Sequence, residues 1–133
     1  MRAYLSHPIR GIKGAAATEA DMVANNKRAI EFANTIRRSL PDLDLYVPAE
    51  HDEFVIIAHG LDYLSEYDIL QVDCHIIRRC DTLLVYDWDA LLSKGMLTEI
   101  RFAKEHGIPV VYTKGEVEPI LRHCTANRKD TVR

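Results

Sequence analysis

The amino-acid sequence predicts an α/β protein with an open parallel sheet of four to five strands and helices on both faces of the sheet. Two observations lead to this prediction. Short apolar segments alternate four times with longer segments of helical periodicity, as in βαβ units. The segment "DTLLVYD" (81–87) is a nearly continuous apolar run, which is typical of a strand buried on both faces of a parallel sheet. The predicted architecture is flavodoxin-like or Rossmann-like.

The first half of the chain contains two predicted strands separated by a long helix. The segment "RAYLS" (2–6) is the first strand, and a loop with two glycines follows at 11–18. Apolar residues then recur at helical spacing from 19 to 39, and Pro41 ends this helix. The segment "LDLYVP" (43–48) is the second strand, because Pro48 closes a short apolar run.

The second half continues the alternation of helices and strands. We predict a helix at 61–79, a strand at 81–87, a helix at 96–105, a strand at 108–113 and a helix at 116–124. The segment 52–60 fits neither pattern clearly. The chain 1–133 is predicted to be a single domain, with a flexible polar tail at 125–133.

Composition and charge exclude several classes of protein. The chain has 133 residues, which suffices for one domain with one core. The formal net charge of −3 argues against binding of a nucleic acid polymer. No apolar run approaches the ~20 residues of a membrane span, and the N-terminus is too polar for a signal peptide. Three cysteines without a CxxC spacing predict reduced thiols and a cytoplasmic location.

Three loops are candidates for a ligand site. In an open parallel sheet, ligands bind beyond the carboxyl ends of the strands. The loops at 7–14, 48–53 and 87–95 follow the first three predicted strands. They are therefore expected to lie at the same edge of the sheet.

The segment "SKGMLTE" (93–99) combines a small loop with the start of a helix. Free N–H groups at a helix start favour an anion, Gly95 lets a phosphate come close, and Ser93 adds a hydroxyl donor. Glu99, near the positive end of the helix dipole, is expected to stay ionised. The alternative is purely structural: Ser93 caps the helix and Glu99 is a favourable early carboxylate.

Two further charged residues have both a functional and a structural interpretation. Arg10, next to Gly11, follows the first strand and is suited to bind a phosphate or carboxylate, but taken alone it is better explained as an ordinary loop arginine. Asp73 falls on or beside the apolar stripe of the helix at 61–79, four residues from both Ile69 and Ile77. It is either a functional carboxylate or an edge residue that pairs with a nearby arginine.

Metal and cofactor motifs are absent from the sequence. The six histidines show neither HxH nor HExxH spacing, and neither a P-loop nor a GxGxxG motif occurs. We therefore expect no metal and no cofactor.

Taken together, these motifs resemble the nucleoside 2-deoxyribosyltransferase superfamily, and within it the nucleoside-monophosphate N-glycosidases and their uncharacterised phage-borne relatives. The matching segments stand in the family's order and cover most of the chain. They are "YLSHPIRG" (4–11), "LYVPAEHDE" (45–53), "VDCHIIRRCDTLLVYDWD" (72–89) and "SKGMLTEIRFAKEHGIPVV" (93–111).

The resemblance implies roles for individual residues. Glu99 matches the nucleophile that attacks the anomeric carbon and holds the sugar as a covalent glycosyl-enzyme. Asp73 matches the second carboxylate, which assists proton transfer to the departing base or from the incoming water. Residues expected to contact the substrate are Tyr4, His7, Ile9, Arg10, Gly11, Trp88, Ser93 and Gly95.

Ser93 points to a nucleotide as the substrate. Relatives that use free nucleosides have an Asp at this position, and a carboxylate would repel a 5′-phosphate. The resemblance therefore implies hydrolysis of a (deoxy)nucleoside 5′-monophosphate to free base and (deoxy)ribose 5-phosphate. A deoxyribosyltransferase that exchanges bases is the first alternative, and a nucleotide-binding or signalling module without turnover is the second.

Relatives in this superfamily form dimers or higher oligomers. The resemblance thus implies a homodimer or larger homo-oligomer, with the helices at 19–39 and 61–79 as the expected contact surfaces.

Overall fold

The computed structural model describes residues 1–9, 11–89 and 92–131, without the side chains of 11, 12 and 128–131. It confirms the predicted fold class: the described residues form a four-stranded parallel sheet of order β2-β1-β3-β4. The strands are β1 (Arg2–Ser6), β2 (Asp44–Tyr46), β3 (Thr82–Val85) and β4 (Val110–Tyr112).

Five α-helices accompany the sheet in the described part of the chain. They are α1 (Glu19–Ser39), α2 (Asp52–Gly60), α3 (Glu66–Arg78), α4 (Lys94–Glu105) and α5 (Glu118–Thr131). Two 3₁₀ helices, Gly11–Ala16 and Pro48–His51, follow β1 and β2. No helix among the described residues is long and apolar enough to cross a bilayer.

The sheet separates two hydrophobic cores. On one face, Leu5 and Leu84 pack with Phe32 and Ile36 of α1 and with Ile120 of α5. The opposite face carries a second core of residues from the sheet and from α3 and α4. Its members are Tyr4, Ile77, Cys80, Leu83, Val85, Met96, Ile100 and Ala103. Because side chains alternate along a strand, neighbours in β1 contribute to different cores.

The central strands bring the ends of distant segments together. β1 pairs with β2 on one side and with β3 on the other, so that Tyr4 lies beside both Tyr46 and Leu83. The order of the strands reverses at β1, and such a position is where ligands bind in open α/β sheets. The carboxyl ends of β1 and β3 therefore border the candidate site.

The prediction of one helix over 61–79 was wrong at its start. The ambiguous segment forms α2, and α3 begins only at Glu66, after Ser65. Ser65 and Asp68 form a reciprocal capping box, and Asp62 has a positive φ of 59°. A local polar cap and a turn thus interrupt an otherwise helical apolar pattern. At the other end of the chain, α5 extends to Thr131, well past the predicted boundary at 124.

Candidate active site at the ends of β1 and α4

Glu99 is a buried carboxylate held by two hydroxyl groups. It lies on the second turn of α4, and only 6% of its surface is exposed. The Tyr4 hydroxyl donates a hydrogen bond to Oε2, and the Ser6 hydroxyl donates to Oε1 at 2.9 Å. Both donors are completely buried, so the carboxylate is held against the last residues of β1.

Asp73 approaches the same tyrosine from another helix. It lies on α3, and a side-chain hydrogen bond with Tyr4 lowers its pKa, while burial raises it. The charge of Asp73 in turn raises the pKa of Glu99. Asp73 therefore lies near both Tyr4 and Glu99 and is partly buried, whereas Arg78 and Arg79 are exposed.

Burial dominates the ionisation of both acids. It raises the pKa of Glu99 to about 8, and the hydrogen bonds from Tyr4 and Ser6 only partly oppose this. The pKa of Asp73 is raised to about 6, again mainly by burial. The expectation that Glu99 stays ionised in the free protein was wrong, because it lies beyond the first turn and loses its hydration there.

Ser93 begins α4 as its N-cap residue. Its Oγ accepts a hydrogen bond from the N–H of Met96 at 3.3 Å, which matches the structural interpretation of this position. The bond uses Ser93 as an acceptor and leaves its hydroxyl hydrogen to serve a ligand. A Cβ added at Gly95 would meet no atom within 4 Å, so the space beside the helix start is open.

His7 is a bridge between two loops. Only 4% of it is exposed; Nδ1 lies 3.1 Å from the carbonyl oxygen of Pro8, and Nε2 accepts a hydrogen bond from the N–H of Ala49 at 3.1 Å. Burial lowers its pKa to about 4, so it is neutral at physiological pH. With both ring nitrogens engaged, His7 positions the loop after β1, and the prediction that it contacts the substrate must be corrected to this indirect role.

Trp88 follows β3 and is partly covered by α1. The Arg28 guanidinium lies 4.1 Å from the centre of its ring, a cation–π arrangement. Asp87 accepts a hydrogen bond from the N–H of Lys114 at 2.7 Å, which ties this loop to the turn after β4. A base that stacks on this face of Trp88 would first have to displace Arg28.

The remaining predicted contacts lie in the loop after β1. The carbonyl oxygen of Ile9 accepts a hydrogen bond from Asn25 Nδ2 at 2.9 Å, which anchors the loop to α1. Arg10 lies outside the described residues, and Gly11 begins the 3₁₀ helix. The phosphate-binding roles of these two residues therefore stay predictions.

Ser6 is a site residue that the sequence analysis did not single out. It lies two positions after Tyr4 on β1, so both side chains emerge on the same face of the strand. A polar residue at the carboxyl end of an otherwise buried strand was the available signal. This signal indicates a site residue only when the fold is known, because the fold brings Glu99 within hydrogen-bonding distance of Ser6.

No protein-family model, curated protein or solved structure matches this chain. Within the described part of the chain, no group of three or more His, Cys, Asp or Glu side chains is arranged to hold a metal ion.

A groove of about 890 Å³ lies away from this chemistry, at the opposite edge of the sheet. It is lined by Met1, Leu43 and Asp81, which precede β1, β2 and β3, and by Leu121 and Cys124 of α5. We assign the candidate site to the carboxylates and not to this groove, because neighbouring acids with raised pKa values are characteristic of functional sites.

Proposed function

We propose that this protein hydrolyses the N-glycosidic bond of a (deoxy)nucleoside 5′-monophosphate through a covalent intermediate on Glu99. One observation supports the proposal: two carboxylates from separate helices, Glu99 and Asp73, lie close enough that the charge of Asp73 raises the pKa of Glu99 and of Tyr4, the tyrosine whose hydroxyl donates to Glu99. Cleavage of a glycosidic bond uses such a pair, one acid as the nucleophile and the other as the acid/base. The resemblance to the N-glycosidases assigns the same two residues to these roles.

The first step needs an ionised Glu99 and a protonated Asp73. Glu99 attacks the anomeric carbon, the bond from that carbon to the base breaks, and the base leaves with its electron pair. Asp73 gives its proton to the departing base. In the free protein the proton resides mainly on Glu99, because the pKa of Glu99 is the higher of the two. Tyr4, which hydrogen-bonds Glu99 and lies near Asp73, provides a route for that proton: its oxygen takes the proton of Glu99 as its own hydroxyl hydrogen passes to Asp73.

The second step releases the sugar phosphate. A water molecule attacks the anomeric carbon, Asp73 takes one of its protons, and the ester bond to Glu99 breaks. The products are the free base and (deoxy)ribose 5-phosphate. Tyr4 and Ser6 keep the carboxylate of Glu99 oriented through both steps.

The start of α4 is the proposed site for the 5′-phosphate. Its free N–H groups and dipole favour an anion, and open space beside Gly95 lets a phosphate approach. Ser93 adds a neutral hydroxyl without the repulsion that a carboxylate would cause. Arg10 is expected to add a positive charge.

Transfer of the sugar to a second base is the alternative reaction. It is favoured by the burial of Glu99, of which only 6% is exposed, because a buried ester is protected from water. Adding a free acceptor base to the assay separates the two reactions. A new nucleotide that contains the acceptor base indicates transfer. Release of the original base at the same rate with and without the acceptor, and no new nucleotide, indicates hydrolysis.

The direct test is a panel of ribo- and deoxyribonucleoside monophosphates, with released base measured by chromatography. Glu99→Gln should reduce base release at least ~1,000-fold, because the neutral amide cannot form the intermediate. Glu105→Gln, an exposed position on the same helix, is the matched control and should keep full activity. If Glu99→Gln releases base as fast as the wild type, the mechanism is wrong.

A binding or signalling module without turnover predicts a different outcome. A nucleotide would raise the melting temperature of the protein, yet no base would appear with any member of the panel. That result would overturn the enzymatic proposal and retain the site as a nucleotide pocket.

A further inference from the structure

A stack of three aromatic rings runs from the candidate active site to the surface of the protein. The ring centroids of Tyr4 and Tyr46 lie 5.5 Å apart, with 19° between the ring planes. The ring centroid of His51 lies 4.7 Å from that of Tyr46, with 11° between the planes. Tyr4 is completely buried, Tyr46 is partly buried and His51 is exposed. Tyr46 is therefore the middle ring of the stack, and the sequence analysis did not single it out.

The register of the sheet explains the contact between the two tyrosines. β1 and β2 are parallel, and Tyr46 is the direct partner of Tyr4. Paired side chains emerge on the same face of a sheet, from strands about 4.8 Å apart, and offset-stacked rings favour centroid distances of about 4.5–7 Å. Because β2 is the edge strand of the described sheet, Tyr46 is the last side chain of the sheet on that side of Tyr4.

The outer ring of the stack belongs to a segment that is tied to its surroundings. His51 ends the 3₁₀ helix that follows β2. The preceding residue, Glu50, accepts two hydrogen bonds from the guanidinium of Arg37 on α1, at 2.6 and 2.9 Å, and such bidentate pairs are strong and directional. The same guanidinium donates to the carbonyl oxygen of Leu45 at 3.2 Å. One arginine therefore ties the 3₁₀ helix to the strand that carries Tyr46.

We propose that Tyr46 is a positioning residue of the candidate active site, whose ring holds Tyr4 in the orientation from which its hydroxyl donates to Glu99. This inference rests on the proposed function, in which the hydrogen bond from Tyr4 orients the nucleophile. A tyrosine side chain has several staggered rotamers, and a change of rotamer would carry the hydroxyl out of hydrogen-bonding distance. The neighbouring ring of Tyr46 restricts that change, because rotation of Tyr4 would break the stack.

The stack depends on the ring of Tyr46 and not on its hydroxyl. Both contacts of this residue described above are made by the ring. The hydroxyl is a separate candidate for a direct role, since burial and the nearby charge of Asp73 raise the pKa of Tyr46. Two substitutions separate these possibilities: Tyr46→Phe keeps the ring and removes the hydroxyl, whereas Tyr46→Leu removes the ring and stays apolar.

Base release from the monophosphate panel is the first test. Tyr46→Phe should keep at least about half of the wild-type kcat, and Tyr46→Leu should lower kcat about 10–100-fold with KM nearly unchanged, which is the effect of a misplaced catalytic group. Tyr86→Leu removes a ring stacked on Phe32 on the other face of the sheet, so it is the control and should keep its kcat. Equal losses in Tyr46→Phe and Tyr46→Leu overturn the proposal, because the hydroxyl would then be the active part.

A double-mutant cycle tests whether Tyr46 acts through Tyr4. In a Tyr4→Phe background there is no hydroxyl left to orient, so Tyr46→Leu should change kcat less than about twofold. If the losses of the two single variants multiply in the double variant, Tyr46 acts independently and the proposal is wrong. Circular dichroism verifies that each variant is folded, and Tyr46→Thr, which suits an edge strand, replaces Tyr46→Leu if the latter does not fold.

The pKa of Glu99, read from the ¹³C shift of its carboxyl group, provides a test without substrate. Burial raises this pKa, and the hydrogen bond from Tyr4 opposes the rise. Tyr46→Leu should therefore shift the pKa upward by at least about 0.5 more in the wild-type background than in the Tyr4→Phe background. Equal shifts in the two backgrounds overturn the positioning role even in an active enzyme. The expected coupling in a protein that releases no base would support the positioning of Glu99 by the stack and overturn only the proposed function.

Discussion

The hydroxyl of Tyr4 donates a hydrogen bond to Oε2 of Glu99, and this contact joins residues that are 95 positions apart in the sequence. Tyr4 lies on β1 and Glu99 on α4, and both are buried. Burial raises the pKa of Tyr4 well above its ordinary range, so the hydroxyl remains a neutral donor at any physiological pH. The contact thus orients the carboxylate without adding a charge.

Removal of that hydroxyl should slow the reaction and shift its pH dependence. In Tyr4→Phe the pKa of Glu99 rises further, because a hydrogen bond that lowers it is lost. We expect base release to fall about 100-fold and the alkaline limb of the rate profile to move to higher pH. Tyr86→Phe is the control, because Tyr86 stacks on Phe32 on the other face of the sheet. An unchanged profile in Tyr4→Phe would contradict the proposed role.

The pH dependence of kcat/KM should be bell-shaped. Activity requires one proton shared by the pair, and the pKa values of about 6 for Asp73 and about 8 for Glu99 set the two limbs. The rate should fall below about pH 6, where both acids are protonated, and above about pH 8, where both are ionised. A rate that keeps rising through pH 9 would show that no protonated carboxyl group is needed.

The free energy of unfolding should also depend on whether Glu99 is protonated. Its pKa is about 8 in the folded chain, against an ordinary value of 4.5, so between these values the native state holds more protons than the unfolded state. The contribution of Glu99 to stability is therefore lost as the pH rises towards 8. Glu99→Gln stays neutral and should exceed the wild type in unfolding free energy by a few kcal/mol at pH 8.

Urea unfolding of Glu99→Gln and wild type at pH 4.5 and pH 8 measures this difference. It should be small at the lower pH, where Glu99 is neutral in the native state and half protonated in the unfolded one. The exposed variant Glu105→Gln should show no such dependence. An equal difference at both pH values would mean that Glu99 is ionised in the native protein.

Ser93→Asp should convert the preference from nucleotides to nucleosides. Asp is as good an N-cap residue as Ser, so α4 should remain intact. The added negative charge should raise KM for a monophosphate about tenfold or more and leave KM for the free nucleoside unchanged or lower. Kinetics with a matched nucleotide and nucleoside check this. If both substrates respond alike, the phosphate does not bind at the start of α4.

His7→Ala should affect stability more than catalysis. The variant leaves the buried N–H of Ala49 without its acceptor and opens a cavity, which together should cost about 2–4 kcal/mol. Thermal unfolding measures the loss, and KM should change less than twofold once the variant is folded. A large KM effect with normal stability would restore the original prediction that His7 contacts the substrate.

The fold was largely predictable because it depends on local periodicity. The bounds of α1 agree with the prediction at 19–39, and all four strands lie within or at their predicted segments. The break between α2 and α3 escaped prediction, because a capping box at Ser65 competes with a continuous helical pattern. Capping is a local polar effect that apolar spacing does not record.

The site was predictable only in its parts. Sequence patterning by itself determined the alternation of strands and helices, and with it the edge of the sheet at which Glu99, Asp73 and Ser93 had to be sought. Only the tertiary structure decided that Tyr4 and Ser6 donate hydrogen bonds to Glu99. It also decided that both ring nitrogens of His7 have partners and that burial raises the pKa of Glu99. These outcomes depend on burial and on contacts between residues far apart in sequence, and desolvation of a carboxylate is a property of its surroundings and not of its position in the chain.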